Sequence, residues 1–242
     1  MTQPAETLAV SLRTEGVAAG NLVALLQLCD SLFPLGGFAH SDGLEAATSS
    51  GSISTGADLH QWMDVTLDQI LRRCEGPGVR VVWEAFIDGR FADALAVDEE
   101  LDAIRPSSTL RRASLAMGTR LLSTWQRIRP SDALNAFHSV RGSRGVRLPT
   151  GFAVVCASSR IPCRATLEGF FYTRLAATVS SAMRLMAIGQ AEAHALLAGT
   201  LDRVPCAVDE VLQSNEAPRA FTPGLDIAAM NQQYVTSRLF CS

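Results

Sequence analysis

Histidine and cysteine are the side chains best suited to bind a metal ion, and their spacing along the chain determines whether they can share one. The chain has four histidines, at His40, His60, His138 and His194. No two of them are four residues apart, which is the spacing that a helical His-Glu-x-x-His zinc site requires. Cys156 and Cys163 lie seven residues apart across a proline, and two buried thiols on successive elements explain them better than a metal pair. The sequence therefore predicts no resident metal ligand.

Nucleophilic and phosphate-binding chemistry has equally little support. All 21 basic side chains are arginines, so the chain has neither the lysine of a P-loop nor the lysine of a Schiff-base enzyme. It has no Gly-x-Ser-x-Gly nucleophile elbow and no Gly-x-Gly-x-x-Gly loop. The acidic cluster at Asp98, Glu99, Glu100 and Asp102 is typical of a solvated helix face rather than of a catalytic carboxylate pair. We therefore assign no catalytic residue.

The segment between Cys29 and Glu45 has unusual turn chemistry. The sequence predicts that an apolar helix ends at Asp30, that the chain turns through Pro34 and two adjacent glycines, and that a second helix begins near His40. Adjacent glycines permit a positive φ or a close backbone approach. The segment is either a simple connection between helices or a functional loop, since loops carry function disproportionately.

An enzyme is the alternative interpretation of this segment. His40 with Asp42 or Glu45 would supply the acid and base of an all-helical hydrolase or lyase if the fold placed them around a pocket. A deep polar cleft around His40 would favour this alternative. A flat apolar surface would favour a module that binds other proteins.

The C-terminus is the second unusual feature. A predicted helix from Asp226 to Gln233 leads directly into the segment 234–242, which contains Tyr234, Leu239 and Phe240. Such an apolar end is unsuited to a free tail, because burial of apolar area is worth about 25 cal/mol per Å². We expect it to pack on the core of its own chain or on a partner, and the sequence does not decide between the two.

Helical periodicity dominates the rest of the chain. Apolar residues recur every three or four positions over Ser107–Ile128, Asp58–Arg73 and Leu167–Leu197. Ser107 or Ser108 is the predicted N-cap of the first of these segments, and Gly189-Gln190 is predicted to divide the third into two helices. Further interruptions are predicted at glycine and proline clusters, including Gly76-Pro77-Gly78. Strand-like alternation is nearly absent.

These patterns predict one all-α domain of roughly eight to ten helices over residues 21–242, preceded by a flexible tail at residues 1–20. Apolar residues make up 48% of the chain, and the formal net charge of −3 argues against nucleic acid or a membrane as the main partner. The N-terminus lacks the basic start and apolar run of a secretory signal, and the six cysteines form no Cys-x-x-Cys pair. We therefore expect a cytoplasmic protein with free thiols.

Several segments resemble a known family. The sequence from Asp30 to Glu45 resembles the N-terminal signature of the urease accessory protein family UreF. The segment Arg112–Leu122 is similar to the family's mid-chain helix, and Tyr172–Leu197 is similar to its long C-terminal helical region. Ser237-Arg-Leu-Phe240 and the terminal serine resemble its tail. The resemblance covers roughly residues 22–242.

The resemblance implies a fold and a role. UreF proteins are all-helical, tend to form homodimers, and bridge UreD (also called UreH) and the GTPase UreG in a complex that delivers nickel to apo-urease. GTP hydrolysis belongs to UreG, so the family resemblance implies a co-chaperone, with a possible effect on that GTPase, rather than an enzyme. Nickel would pass through the assembled complex, with no cofactor bound tightly by this chain.

The sequence departs from the family in two places. Near Gly145 the family commonly has histidine followed by Pro-Val, whereas this chain has Val-Arg-Leu-Pro149. Before the tail the family commonly has His-Glu, whereas this chain has Asn231-Gln232-Gln233. For this reason no metal ligand is carried over from the family.

The resemblance and the turn chemistry together nominate a set of partner-binding residues in three segments. They are Asp30, Pro34, Gly36, Gly37, Phe38, His40, Ser41, Gly43 and Glu45 in the turn, Tyr172, Arg184 and Gln190 in the long helical region, and Tyr234, Ser237, Arg238, Leu239 and Phe240 in the tail. Within the tail, we expect Arg238 to anchor the segment on UreD and Leu239 and Phe240 to fill an apolar site there.

Overall fold

The structure is a computed structural model that describes residues 19–241, apart from the side chains of residues 19, 20 and 38. Twelve α-helical segments lie within the described part of the chain: α1 Ala19–Cys29, α2 Leu44–Ser49, α3 Gly56–Val65, α4 Gly76–Ile87, α5 Phe91–Ile104, α6 Ser108–Ile128, α7 Asp132–Arg141, α8 Leu148–Ser158, α9 Cys163–Leu185, α10 Gln190–Leu201, α11 Val204–Gln213 and α12 Pro223–Asn231. A π-helix joins α3 to α4 at Thr66–Glu75, and 3-10 helices lie at Gly37–Ala39 and Gln232–Tyr234.

The predicted all-α class is confirmed, since residues 19–241 contain no β-strand. If the unbroken helix 56–87 is taken as one and the six-residue α2 is left out, ten helices remain, within the predicted range. The predicted flexible tail lies outside the described residues except for its last two positions, which begin α1. Within the described part of the chain, no helix is both long enough and apolar enough to cross a membrane.

Capping residues and helix breakers in the sequence predicted several helix ends correctly. The Ser107 side chain accepts a hydrogen bond from the Leu110 amide and caps α6, as predicted. The long helical region is divided between Leu185 and Gln190, also as predicted. Thr55 and Asp58 form a reciprocal capping box that begins α3.

The predicted interruption at Gly76-Pro77-Gly78 is wrong. The helix continues through these residues, because the chain adopts π-helical geometry over Thr66–Glu75 and the Gly76 amide donates to the Leu71 carbonyl. Pro77 lies in the first turn of α4, where a proline is tolerated. Gly76 is required for packing, since a Cβ there would lie 2.9 Å from Cζ of Phe171 on α9.

The long helix α9 lies at the centre of the fold. It packs against α1, α2, α4, α8, α10 and α11. Phe170, Phe171, Leu175 and Val179 on this helix are at most 1% exposed and form part of one continuous apolar core. The Nε1 group of buried Trp83 donates to the Ile161 carbonyl at 3.0 Å, so its polar atom is satisfied within the core. This core fixes α9 as the platform on which α1 and the following turn rest.

The α6–α8 contact depends on Gly118 and provides a stability prediction. A Cβ at Gly118 would lie 2.3 Å from the Arg147 carbonyl carbon and 2.4 Å from the Val146 carbonyl oxygen. Because these are backbone atoms, a methyl group at position 118 would fit only if α6 and the start of α8 moved apart. Gly118→Ala should therefore lower the free energy of unfolding by about 1–3 kcal/mol, as measured by urea denaturation.

Gly199 in α10 is the matched control for this substitution. A Cβ at that position would meet no atom within 4 Å. Gly199→Ala should therefore raise the free energy of unfolding by up to about 1 kcal/mol, because alanine has the higher helix propensity. Equal effects of the two substitutions would contradict the packing explanation.

Candidate functional site

The turn after α1 is ordered by its own backbone. The Asp30 carbonyl accepts a hydrogen bond from the Phe33 amide at 2.9 Å, and its carboxylate accepts one from the Leu32 amide at 2.8 Å. Gly36 has a φ of +80°, a value that non-glycine residues rarely adopt. The 3-10 helix at Gly37–Ala39 follows. The turn is therefore a defined structure rather than a loose connection.

The second helix begins later than predicted. It starts at Leu44 rather than near His40, because Asp42 and Gly43 both adopt positive φ, at 53° and 91°. A Cβ at Gly43 would lie 2.6 Å from the backbone nitrogen of Ala229 on α12. The glycine thus allows the turn to contact the helix that precedes the tail.

A cluster of four charged residues lies beneath the turn. Arg174 on α9 pairs with Asp42 at 2.7 Å and with Glu75 at 3.4 Å, and Glu75 also pairs with Arg105. The Glu75 side chain is 4% exposed and that of Arg174 is 13% exposed. Burial raises the pKa of Asp42, but the charges of Arg174 and Arg105 outweigh it and hold the pKa below its usual value. Of these four residues, the sequence predicts a role only for Asp42, as a possible catalytic partner of His40.

His40 does not lie in an enzyme-like cleft. It borders a cavity of about 80 Å³, and its carbonyl accepts a hydrogen bond from Ser181 Oγ at 3.4 Å. Burial lowers the pKa of His40 despite the nearby Asp42 carboxylate. Asp42 pairs with Arg174, and Glu45 accepts hydrogen bonds from the tail, so both carboxylates already have partners. The geometry gives the enzyme alternative no support.

The C-terminal tail packs on its own chain through Glu45. This carboxylate is 2% exposed and accepts hydrogen bonds from the Leu239 amide at 2.5 Å, from the Phe240 amide at 3.2 Å and from Gln232 Nε2. The Cys241 amide donates to the Ala39 carbonyl at 2.6 Å. The tail is therefore tied to both ends of the segment between Gly37 and Glu45.

Phe240 fills a site in its own fold. Its ring is 3% exposed, and the Arg184 guanidinium lies 4.3 Å from the ring centroid, within cation–π range. In this structure Phe240 packs on its own chain, and its contact with an apolar site of a partner stays a prediction. Tyr234 and Leu239, at 74% and 60% exposed, are the large tail residues that remain open to a partner.

The turn and α9 line one cavity of about 330 Å³, and the tail contacts one of its lining residues. Asp30 and Gly37 of the turn and Tyr172 and Arg184 of α9 line it, and the tail is attached through the contact of Arg184 with Phe240. We use the term turn surface for residues 30–45, the exposed face of α9 from Tyr172 to Arg184, and residues 234–241. These ranges contain all of the predicted partner-binding residues except Gln190, but Glu45 and Phe240 are buried within them.

The remaining predicted residues lie as follows. Pro34, Ser237 and Arg238 are exposed, and Ser41 is buried. Gln190 is exposed at the start of α10 and lines none of the cavities described above. The Phe38 side chain and the terminal serine lie outside the described residues. Tyr234 and Ser237 also line a wider groove of about 740 Å³ between the tail and Trp62 of α3.

No metal centre is formed by the described residues. Among residues 19–241, no three His, Cys, Asp or Glu side chains are close enough together to hold a metal ion. Burial raises the pKa of the Cys29 thiol to about 12 and raises that of Cys156 well above its usual value. Both thiols are therefore weaker acids than an exposed cysteine, because burial disfavours the thiolate.

The role of Glu45 leads to a prediction about the tail. Glu45→Gln replaces one accepting oxygen by an amide group that faces backbone N–H donors, so at least one charge-assisted hydrogen bond is lost. We expect the free energy of unfolding to fall by about 1–3 kcal/mol. We also expect trypsin to cleave after Arg238 faster, as measured by mass spectrometry of the released C-terminus.

Glu99→Gln is the control, because Glu99 lies at the surface with its side chain 66% exposed. It should leave cleavage after Arg238 unchanged. Equal cleavage rates in both variants and in the unaltered chain would show that Glu45 does not hold the tail.

Comparisons with known proteins give a consistent result. The family model UreF matches residues 53–200. The chain is 32% identical over 229 residues to the urease accessory protein UreF of Azoarcus sp. (strain BH72), a match that covers 91% of this chain and 95% of that protein. It is 32% identical over 231 residues to the protein of the same name from Arthrobacter sp. (strain FB24), covering 93% of this chain and 99% of that protein.

Proposed function

The chain belongs to the UreF family of urease accessory proteins, and we propose that it serves urease maturation by promoting nickel insertion into the apoenzyme. It acts in the cytoplasm as a co-chaperone that bridges UreD (UreH) and the GTPase UreG, and as a homodimer. It works by binding other proteins and catalyses no reaction itself.

The observation that carries this proposal is the convergence of turn, α9 and tail on one exposed surface. Tyr172, Tyr234 and Leu239 leave large apolar area open there, at 41%, 74% and 60% exposed. Aromatic side chains of this kind are common anchors in protein interfaces. Tyr172 lies on the central helix α9, and the tail is held by the hydrogen bonds of the Leu239 amide to Glu45 and of the Cys241 amide to Ala39. These anchors would therefore need little ordering on binding.

Nickel is cargo rather than a resident cofactor in this proposal. The described residues offer no metal-binding cluster, so the ion would pass through a path completed by the partners. Any effect on GTP hydrolysis would act through contact with UreG, because this chain has no lysine with which to build a P-loop of its own.

The proposal is tested by mixing the chain with its cognate UreD and UreG and analysing the mixture by size-exclusion chromatography with light scattering. We expect one species that contains all three proteins, with two copies of this chain. Omission of this chain should leave UreD and UreG apart. Elution of the three proteins as separate species would contradict the bridging role.

A further inference from the structure

The exposed face of α6 carries a line of arginines. This helix contains Arg111, Arg112, Arg120 and Arg127, and it contains no acidic residue. Positions 112, 116, 120, 123 and 127 are four, four, three and four residues apart, which places them along one stripe of an α-helix. Three of these residues are exposed arginines, and the other two are Ala116 and Ser123. At 1.5 Å per residue the stripe is about 22 Å long.

The three arginines of this line lack carboxylate partners within residues 19–241, whereas about half of the other arginines have them. Among the described residues, no Asp or Glu oxygen lies within ion-pair distance of Arg112, Arg120 or Arg127. Nine other arginines form such pairs: Arg72, Arg90, Arg105, Arg144, Arg147, Arg164, Arg174, Arg203 and Arg219. In a chain with a net charge of −3, the stripe is thus a local excess of positive charge.

We propose that this α6 stripe (Arg112, Ala116, Arg120, Ser123 and Arg127) is a docking surface for an acidic helix face of a partner protein. Carboxylates spaced by one or two helical turns on that partner would match the guanidinium groups in sign and in spacing, and guanidinium binds carboxylate through paired hydrogen bonds. The small side chains of Ala116 and Ser123 leave room between the arginines for the partner's backbone to approach.

The stripe is continuous with the turn surface. Arg120 Nη1 donates to the Leu35 carbonyl at 3.4 Å, and a Cβ at Gly36 would lie 2.5 Å from the same nitrogen. A partner on the turn surface could therefore extend along α6 without a gap. The inference rests on the proposed function only in naming which proteins are tested.

A protein fits the stripe better than a nucleic acid does. Domains that bind nucleic acid usually have many basic residues and an isoelectric point above about 9, whereas the isoelectric point of this chain is about 5.8. Here three arginines lie in a single line on an acidic chain. The stripe therefore matches a narrow row of carboxylates rather than two phosphate backbones.

A charge-neutralising pair of substitutions tests the inference. Arg112→Gln with Arg127→Gln removes two charges from the stripe and leaves Arg120, which contacts the turn, unchanged. Arg90→Gln with Arg219→Gln is the matched control, since both residues are exposed but already paired with carboxylates. Binding to cognate UreD, UreG and apo-urease is measured by calorimetry at salt concentrations from about 0.05 to 0.3 M.

We expect one of the three proteins to bind the stripe variant about tenfold more weakly than the control variant at low salt. The difference between the two variants should shrink as salt is added. A complex that forms with equal affinity in both variants would overturn the stripe inference and leave the proposed function intact. If the unaltered chain binds none of the three proteins, the proposed function fails instead.

A second arm tests the stripe without any of these partners. The probes are an alanine-rich helical peptide with a glutamate on every turn of one face, and a 20-base-pair DNA duplex. Chemical-shift changes on α6 with the peptide, lost in the stripe variant and kept in the control, are the expected result. Tighter binding of the duplex than of the peptide, or no binding of the peptide, would overturn the inference.

Discussion

Gly37→Val is expected to reduce urease activation to the level measured without this protein, while the chain stays folded. Gly37 lines both the cavity of about 330 Å³ and the smaller one beside His40. A Cβ there would meet only the Met117 sulfur, at 3.9 Å, which is an ordinary contact. Valine can therefore be accommodated by the backbone, but its methyl groups would fill the surface that we assign to a partner.

Gly189→Val is the control for this substitution. Gly189 lies outside the turn surface, and a Cβ there would meet no atom within 4 Å. Both variants should show the helical circular dichroism of the unaltered chain, and only Gly37→Val should fail in urease activation. Full activation by Gly37→Val would show that the turn has a structural role alone.

Arg174→Met is expected to have the largest effect on stability. The substitution removes the guanidinium between Asp42 and Glu75, and removal of one partner of a buried ion pair costs about 3–5 kcal/mol. Because Glu75 keeps its pair with Arg105 and the Asp42 side chain is 32% exposed, we expect the lower end of that range, about 3 kcal/mol. That is a large part of the about 5–15 kcal/mol that stabilises a typical domain. The midpoint of urea denaturation should fall accordingly.

Arg164→Met on the same helix is the matched control. Arg164 pairs with Glu168 and Asp209 at the surface and is 45% exposed, so its loss should cost at most about 1 kcal/mol. Similar midpoints for the two variants would show that the buried cluster does not stabilise the fold.

The same cluster gives the chain a dependence on pH. Because the folded pKa of Asp42 is held below its usual value, its contribution to stability is present above the unfolded pKa of 3.8 and is lost as pH falls through the folded value. In Arg174→Met the largest charge that lowers this pKa is gone. The difference in the free energy of unfolding between Arg174→Met and the unaltered chain should therefore be largest near neutral pH and should shrink as pH falls below 3.8, as measured by urea denaturation at several pH values.

Sequence patterns predicted those parts of the fold that depend on near neighbours. The N-cap at Ser107, the amphipathic period of α6 and the break before Gln190 all arise from residues within a few positions of one another. The interruption predicted at Gly76-Pro77-Gly78 was wrong because the chain adopts π-helical geometry over Thr66–Glu75, and the Gly76 amide donates to the Leu71 carbonyl. The pattern of glycines and prolines along the sequence does not reveal this change of helix type.

The candidate site was predicted in outline only. The turn and the tail stood out by composition, yet the sequence could not show that Glu45 joins them, since Glu45 and Leu239 are 194 residues apart. Arg174, Glu75 and Arg105 belong to no motif and were missed, because their importance comes from burial beside Asp42. Charged residues that are spread along a chain show that role only once the helices are packed.

Nickel loading of urease tests the proposed role most directly. Apo-urease is incubated with UreD, UreG, GTP, nickel and bicarbonate, with and without this protein, and both bound nickel and urease activity are measured. We expect nickel-loaded, active urease only in the mixture that contains this protein. Equal nickel content and activity in both mixtures would contradict the proposal that it promotes nickel insertion.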